Sequence, residues 1–305
     1  VLAYQGVFPV EVGRNGPVQS ALDFLINGGE IRGWSFEPGV VLDASTGRRG
    51  LRAIVEPGTK KGQGHADQWL AILAQSELER EQTLRIGGQS YSMDQLVRQV
   101  QHDAPHNAAQ EWSWTLIGLT QYLPTDSEWT AADKETWSIE RMVAGEVEQD
   151  IDDSACGGTH RLIGLATALN RRRAEGAELT SVWQQADRAV QTAIQKTLEY
   201  QNPDGSFSAQ YFRRPAASAD MAAVLGTTGH LLEFLAVAAP DKQLDSPQVH
   251  LAVQHLCNLL KETDELPLEC GALYHAVHGL VLYRQRVFGP RTYEWKSPSA
   301  TVTAG

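Results

Sequence analysis

Five stretches of the chain align on one ring-bearing position: "GHADQWLAIL", "WTLIGLTQYL", "THRLIGLATAL", "GHLLEFLAVA" and "YHAVHGLVLY". The aligned residues are His65, Trp114, His160, His230 and His275, each followed five positions later by Leu70, Leu119, Leu165, Leu235 or Leu280. All five stretches are apolar on nearly every side, which is the pattern of a helix buried among other elements. Between them lie amphipathic stretches such as "SMDQLVRQVQ", "SIERMVAGEVEQ" and "SVWQQADRAVQTAIQKTLEYQ". A unit of one outer and one inner helix, repeated every 45 to 49 residues in three of four intervals, builds either an open solenoid or a closed ring. Inner helices more apolar than outer ones favour the ring. The expectation is therefore an all-α fold: one α/α-toroid domain over 1–290, of about five helical hairpins. An irregular N-terminal hairpin or loop region at 17–64 precedes the first inner helix, and a tail follows at 291–305.

Parallel inner helices gather their N-terminal ends at one mouth. That mouth would collect His65, Asp67, Glu111, Trp112, Trp114, Cys156, His160, His230, Cys270 and His275. A repeat copies a structural histidine as readily as a functional one, so the cluster alone does not fix a role. Composition removes some partners. A net charge of −11 and a pI near 5.3 disfavour nucleic acid. Its one basic knot, Arg171 to Arg173, falls late in a helix, where cations suit the dipole. No apolar run approaches the roughly 20 residues that span a bilayer. The chain begins at Val1, a start that fits an exported form shorn of a leader or anchor, so the compartment stays open.

"DIDDSACGGTH", from Asp150 to His160, crowds titratable groups at the start of one inner helix. "DIDDSA" resembles the D-x-D-D-T-A signature of squalene–hopene and class II diterpene cyclases. "QNPDGSF" is similar to their Q-x-x-x-G-x-W repeat. Ser154 stands where the signature has threonine, and Phe207 where the repeat has tryptophan. The resemblance is to the α/α-toroid superfamily of terpenoid cyclases and protein prenyltransferases. It implies an acid-initiated isoprenoid cyclase in which Asp152 donates the proton, Asp150 and Asp153 support it, and a mouth histidine such as His230 assists. Protonating an alkene requires a dry pocket, so Asp152 should face an apolar concavity, with the helix starting close to Ser154. The plainer expectation is that these carboxylates cap a helix N-terminus.

"CGGTH" and "CGALYH" repeat a Cys-Gly opening before the aligned histidine. Cys156 and His160, four apart, would share one helix face and suit zinc, with Cys270, His275, His230 or Asp153 open to complete a tetrahedral set across the mouth. The prenyltransferases of the same superfamily hold zinc with Asp, Cys and His. Two further roles are open to the cysteines: a disulfide between Cys156 and Cys270, and plain packing of a small residue. A carbohydrate site from Trp69, Glu111, Trp112 and Trp114 is a third functional expectation. A non-catalytic toroid that presents its rim to a protein partner is the fourth.

Overall fold

The structure, a computed structural model, describes residues 1–4, 7–55, 64–107 and 112–290. The outer–inner alternation organises it. β1 (Pro9–Glu11) and β2 (Val18–Ser20) form a hairpin that leads into α1 (Ala21–Ile26). A longer hairpin, β3 (Trp34–Asp43) with β4 (Arg48–Val55), precedes α2 (Gln68–Gln75). Then come β5 (Thr83–Ile86), β6 (Gln89–Ser92), α3 (Met93–Asp103) and α4 (Trp112–Tyr122). A matching unit follows in β7 (Glu128–Thr130), β8 (Thr136–Ser138), α5 (Ile139–Val147) and α6 (Thr159–Ala174). The last two pairs lack hairpins. They are α7 (Ser181–Glu199) with α8 (Met221–Ala238), and α10 (Pro247–Glu262) with α11 (Cys270–Phe288), separated by the short α9 (Asp241–Leu244).

The molecule is mostly helical but not purely so. Four two-stranded antiparallel hairpins are present among the described residues, which corrects the all-α expectation. Within the stretch 17–64, expected as an irregular hairpin or loop region, the described residues form β2, α1 and the β3–β4 hairpin. Three of the hairpins share a device. Ser20, Ser92 and Ser138 each end a second strand and serve as the N-cap of the outer helix that follows. Ser20 and Ser138 accept the backbone N–H of Asp23 and Arg141, and Ser92 forms a capping box with Gln95. Each satisfies a helix-start donor that would otherwise be unpaired. The hairpin thus aims the outer helix. The expected tail at 291–305 lies outside the described residues.

The five inner helices pack side by side in chain order, α2 on α4, α4 on α6, α6 on α8 and α8 on α11. One hydrophobic cluster runs through them from Leu25 to Tyr283. Glycines set the tightest approaches. A Cβ on Gly229 of α8 would lie 2.5 Å from the Ala276 nitrogen of α11, and one on Gly164 of α6 would lie 2.7 Å from the Ser113 oxygen of α4. Among the described helices, α8 alone has the length and composition of a membrane span, but most of it is buried inside the fold. Its apolar character belongs to the core.

Candidate functional site

The five aligned rings converge. His65 lies edge-on to His160 at 4.8 Å between centroids, Trp114 meets His160 at 5.0 Å, and His160 meets His230 at 5.4 Å. His230 and His275 are stacked at 3.4 Å. The contact at Gly229 positions this last pair, because it brings α8 and α11 close enough for the neighbouring residues' rings to touch. Beside three of the rings, Trp114, His160 and His275, lies a cavity of about 30 Å³, bordered by side chains of all five inner helices, with Gln75, Glu233 and Tyr274 among them.

Cys156 reaches this cluster by a route other than a shared helix face. Ala155–Gly158 form a 3-10 turn in which Cys156, Gly157 and Gly158 have φ of 51°, 62° and 85°. Three left-handed residues in succession reverse the chain just before α6 begins at Thr159. Glycine adopts this region without penalty, whereas a side chain there costs energy that the surrounding structure must offset. Tyr211, also left-handed at 51°, packs on Gly157, where a Cβ would lie 2.3 Å from the tyrosine ring. The strained turn brings the Cys156 sulfur, a His160 nitrogen and a His230 nitrogen within 4.8 Å of one another. His230, Glu233 and His275 form a second group of the same dimension, sharing His230.

Hydrogen bonding in the cluster is uneven. The Nδ1 of His230 meets the Gly226 carbonyl at 2.8 Å and must donate to it, leaving Nε2 with a lone pair. That Nε2 is buried with no protein partner among the described residues, as are both ring nitrogens of His160. His160 and His230 are only 7% and 6% exposed. Buried orphan nitrogens are uncommon and call for a cause. His275 and His278 are satisfied differently, each donating Nδ1–H to a separate oxygen of Glu233 at 2.7 Å.

Charge follows from this arrangement. Burial opposes ionisation of Glu233, yet the two histidines hold its carboxyl well below the usual range. Burial, reinforced by neighbouring imidazoles, pushes His160 far down, and burial and then His275 bring His230 to about 4. Both are neutral at pH 7, with lone pairs available. Burial and then Glu233 push the Cys156 thiol up to about 11, so a nearby cation is needed to hold it as thiolate.

The acidic half of "DIDDSACGGTH" lies elsewhere. Asp150, Asp152 and Asp153 are exposed, in a turn where Asp150 Oδ1 accepts the Asp152 N–H at 2.9 Å. Arg213 lies 3.9 Å from the Asp152 carboxylate and 3.5 Å from that of Asp153. Asp150 and Asp152 do border a concavity of about 380 Å³, shared with Arg188, Lys196 and Phe212, but the shielding expected for Asp152 is corrected: its carboxylate is exposed and faces Arg213. Helix capping is corrected too: the N-cap position of α6 is Gly158, several residues further on, and Ser154 stands at the start of the intervening 3-10 turn without a side-chain cap hydrogen bond. The intervening turn consumes the distance.

Other expected residues separate. Cys270 is exposed, opens α11, and joins neither donor group among the described residues. Five residues from His275, it faces a different side of the helix. All three cysteines are free thiols, so the expected Cys156–Cys270 disulfide is absent. Trp69 is buried against Trp34 and Phe36, and Trp112 packs on Trp137 while donating to the Ala104 carbonyl. Neither tryptophan reaches the cluster, Trp114 does, and Glu111 lies outside the described residues.

Sequence reasoning missed Glu233, His278 and Tyr211. Glu233 had a signal, being the one charged residue in the apolar "MAAVLGTTGHLLEFLAVA" apart from the histidine three positions before it. Comparison with family models, curated proteins and solved structures finds no match to this chain. The site therefore rests on its own geometry.

Proposed function

We propose that this protein is an α/α toroid that holds one divalent, zinc-type ion at its mouth, with Cys156, His160 and His230 as ligands. The toroid is supported by the serial packing of the inner helices and the cavity that all five border. The superfamily resemblance points the same way. The observation that carries the metal is the orphaned lone pairs: two buried neutral imidazoles converge with a thiol, and His230 Nε2 and both His160 nitrogens have no protein partner among the described residues. A cation answers both features at once, occupying the lone pairs and stabilising the thiolate. Mixed sulfur and imidazole ligands suit zinc. Acid-initiated isoprenoid cyclisation draws no support from Asp152, whose exposed carboxylate lacks the dry surroundings a strong acid needs.

Zinc counting on the full chain, purified under reducing conditions with zinc supplied, tests the proposal. One equivalent is expected in the parent and none in Cys156→Ala or His230→Ala, each still helical by circular dichroism. A parent that holds no zinc, or variants that keep it fully, would sink the reading.

A further inference from the structure

Resting on that metal reading, we propose that His275 stands beside the ion as a base rather than on it as a ligand, which makes the centre a water-activating one. Its substrates would be small acyl esters or amides.

Ring spacing separates the two roles. Two imidazoles bound to one tetrahedral zinc point inward and diverge behind the ion, so their ring centres lie roughly 5 Å apart when Zn–N is about 2.0–2.1 Å. His160 and His230 match this at 5.4 Å and 43° between planes. His230 and His275 do not. At 3.4 Å and 26° they are stacked, with centres well inside the spacing that two ligands of one tetrahedral ion require. The donor groups divide the same way, since His275 falls with His230 and Glu233 rather than with Cys156 and His160. Three protein ligands leave the fourth tetrahedral position to water, the pattern of catalytic rather than structural zinc.

His275 is prepared for the second role. It donates Nδ1–H to the buried Glu233 carboxylate, which fixes the tautomer and leaves the Nε2 lone pair free to accept a proton. Glu233 is a positioning residue here, acting through the imidazole. An ion held by Cys156, His160 and His230 would acidify a water beside it; His275 Nε2 would take one proton from that water, and the water oxygen would bond to the acyl carbon. The C–O or C–N bond to the leaving group then breaks, and that group takes the proton from His275. The Nδ1 proton stays with His275 throughout. A cavity of about 30 Å³ admits little more than a water-sized group, so the acyl portion must be small.

The test uses the full chain loaded with zinc or cobalt(II), azide as a probe of the fourth position, and p-nitrophenyl acetate as substrate. Azide should change the visible spectrum of the cobalt form, and the zinc form should hydrolyse the ester faster than the metal-free protein plus an unrelated zinc chelate. His275→Gln should keep one metal and the azide response but lose about 100-fold or more in turnover. Glu233→Gln should keep both and lose less. Release of metal from a folded His275→Gln, or a cobalt spectrum indifferent to azide, would make His275 a fourth ligand and overturn the inference. A metal-loaded parent that responds to azide yet hydrolyses nothing would overturn the hydrolytic role while leaving the metal site standing. A parent that binds neither metal would instead remove the metal reading, and this inference with it.

Discussion

Asp150–Asp153 and Cys156–His160 are neighbours in sequence, and the fold treats them as opposites. The first carries three of the stretch's charges and ends on the surface, paired with Arg213. The second carries no formal charge at neutral pH and ends in the buried cluster. Between them the left-handed turn changes the direction of the chain. The contrast teaches that crowded charge in a sequence is cheapest to leave in water, whereas the polar groups a fold buries are those it can keep neutral or pair completely. Four departures from the native arrangement break or sharpen that contrast.

The largest effect belongs to the joint between the two segments. Arg161 is buried with Glu146, their side chains 3.0 Å apart, and its Nε donates to Ser154 Oγ at 3.0 Å. Ser113 donates to the same Glu146 oxygen, and Ser154 donates in turn to the Asp150 carbonyl. Glu146→Gln removes the buried carboxylate that faces the Arg161 guanidinium at 3.0 Å. Unfolding by denaturant should show a loss of about 3–5 kcal/mol. A loss under 1 kcal/mol would mean that the turn holds itself and the pair is incidental.

Acidification should come next, and it acts on the surroundings of the buried segment. In the fold His230 takes up its proton only near pH 4, against 6.5 for the free side chain. Above 6.5 it is neutral in both states and contributes no pH dependence. As pH falls from about 6.5 to 4 the unfolded chain binds the proton first, so stability declines, by roughly 3 kcal/mol at most for one such shift. His160 acts in the same direction. Glu233, whose folded value is depressed, adds a loss below about 4.5, where the unfolded carboxyl protonates. Denaturant midpoints measured in metal-free buffer between pH 7 and 4 should fall, and His230→Gln should flatten the upper part of that fall. An unchanged slope in the variant would shift the effect to other groups.

A smaller loss is expected at the turn itself. Gly157→Ala puts a side chain at φ 62° and a Cβ against the Tyr211 ring. The cost should be about 2 kcal/mol, part backbone and part displaced ring. Metal affinity should weaken with it, because the turn aims Cys156. Thermal melting and zinc titration of the same sample check both, and a variant with native zinc affinity would show that Cys156 finds the ion without help from the turn.

The residues that sequence placed well are those where repetition multiplied a weak signal. One histidine before an apolar run means little, but five aligned rings in helices apolar on all sides left few folds that could bury them together. Three of the four hairpins escaped because their strands are three or four residues long, too short for alternation to register, whereas β3–β4 falls in the region expected as a hairpin or loop. Their legible trace was the serine that ends each of three and caps the next helix. Cys156 was placed near His160 for the wrong reason. The i, i+4 spacing assumed a helix, whereas successive glycines after a cysteine mark a left-handed turn equally well. Glu233 went unread because a lone carboxylate in an apolar helix was weighed less than three together in a loop, and burial reverses that weighting.

The acidic segment offers the smallest effect, and it decides what that segment is for. Asp152 is half in water, its carboxylate 3.9 Å from Arg213, and the stronger contact to that arginine is made by the Asp152 backbone carbonyl at 2.8 Å. Asp152→Asn removes a screened ion pair and keeps the turn, whose hydrogen bond uses the Asp152 backbone N–H. Exposed pairs of this kind contribute about 1 kcal/mol or less. Arg213→Ala should cost slightly more, since it also frees that carbonyl. Both variants should bind zinc as the parent does, because neither residue belongs to the donor set or touches the strained turn. Denaturant unfolding and zinc stoichiometry measured side by side on the two variants test this. A loss above 2 kcal/mol, or metal released by Asp152→Asn, would mean that the carboxylates reach the centre after all, and the division of the stretch into a solvated half and a working half would fail.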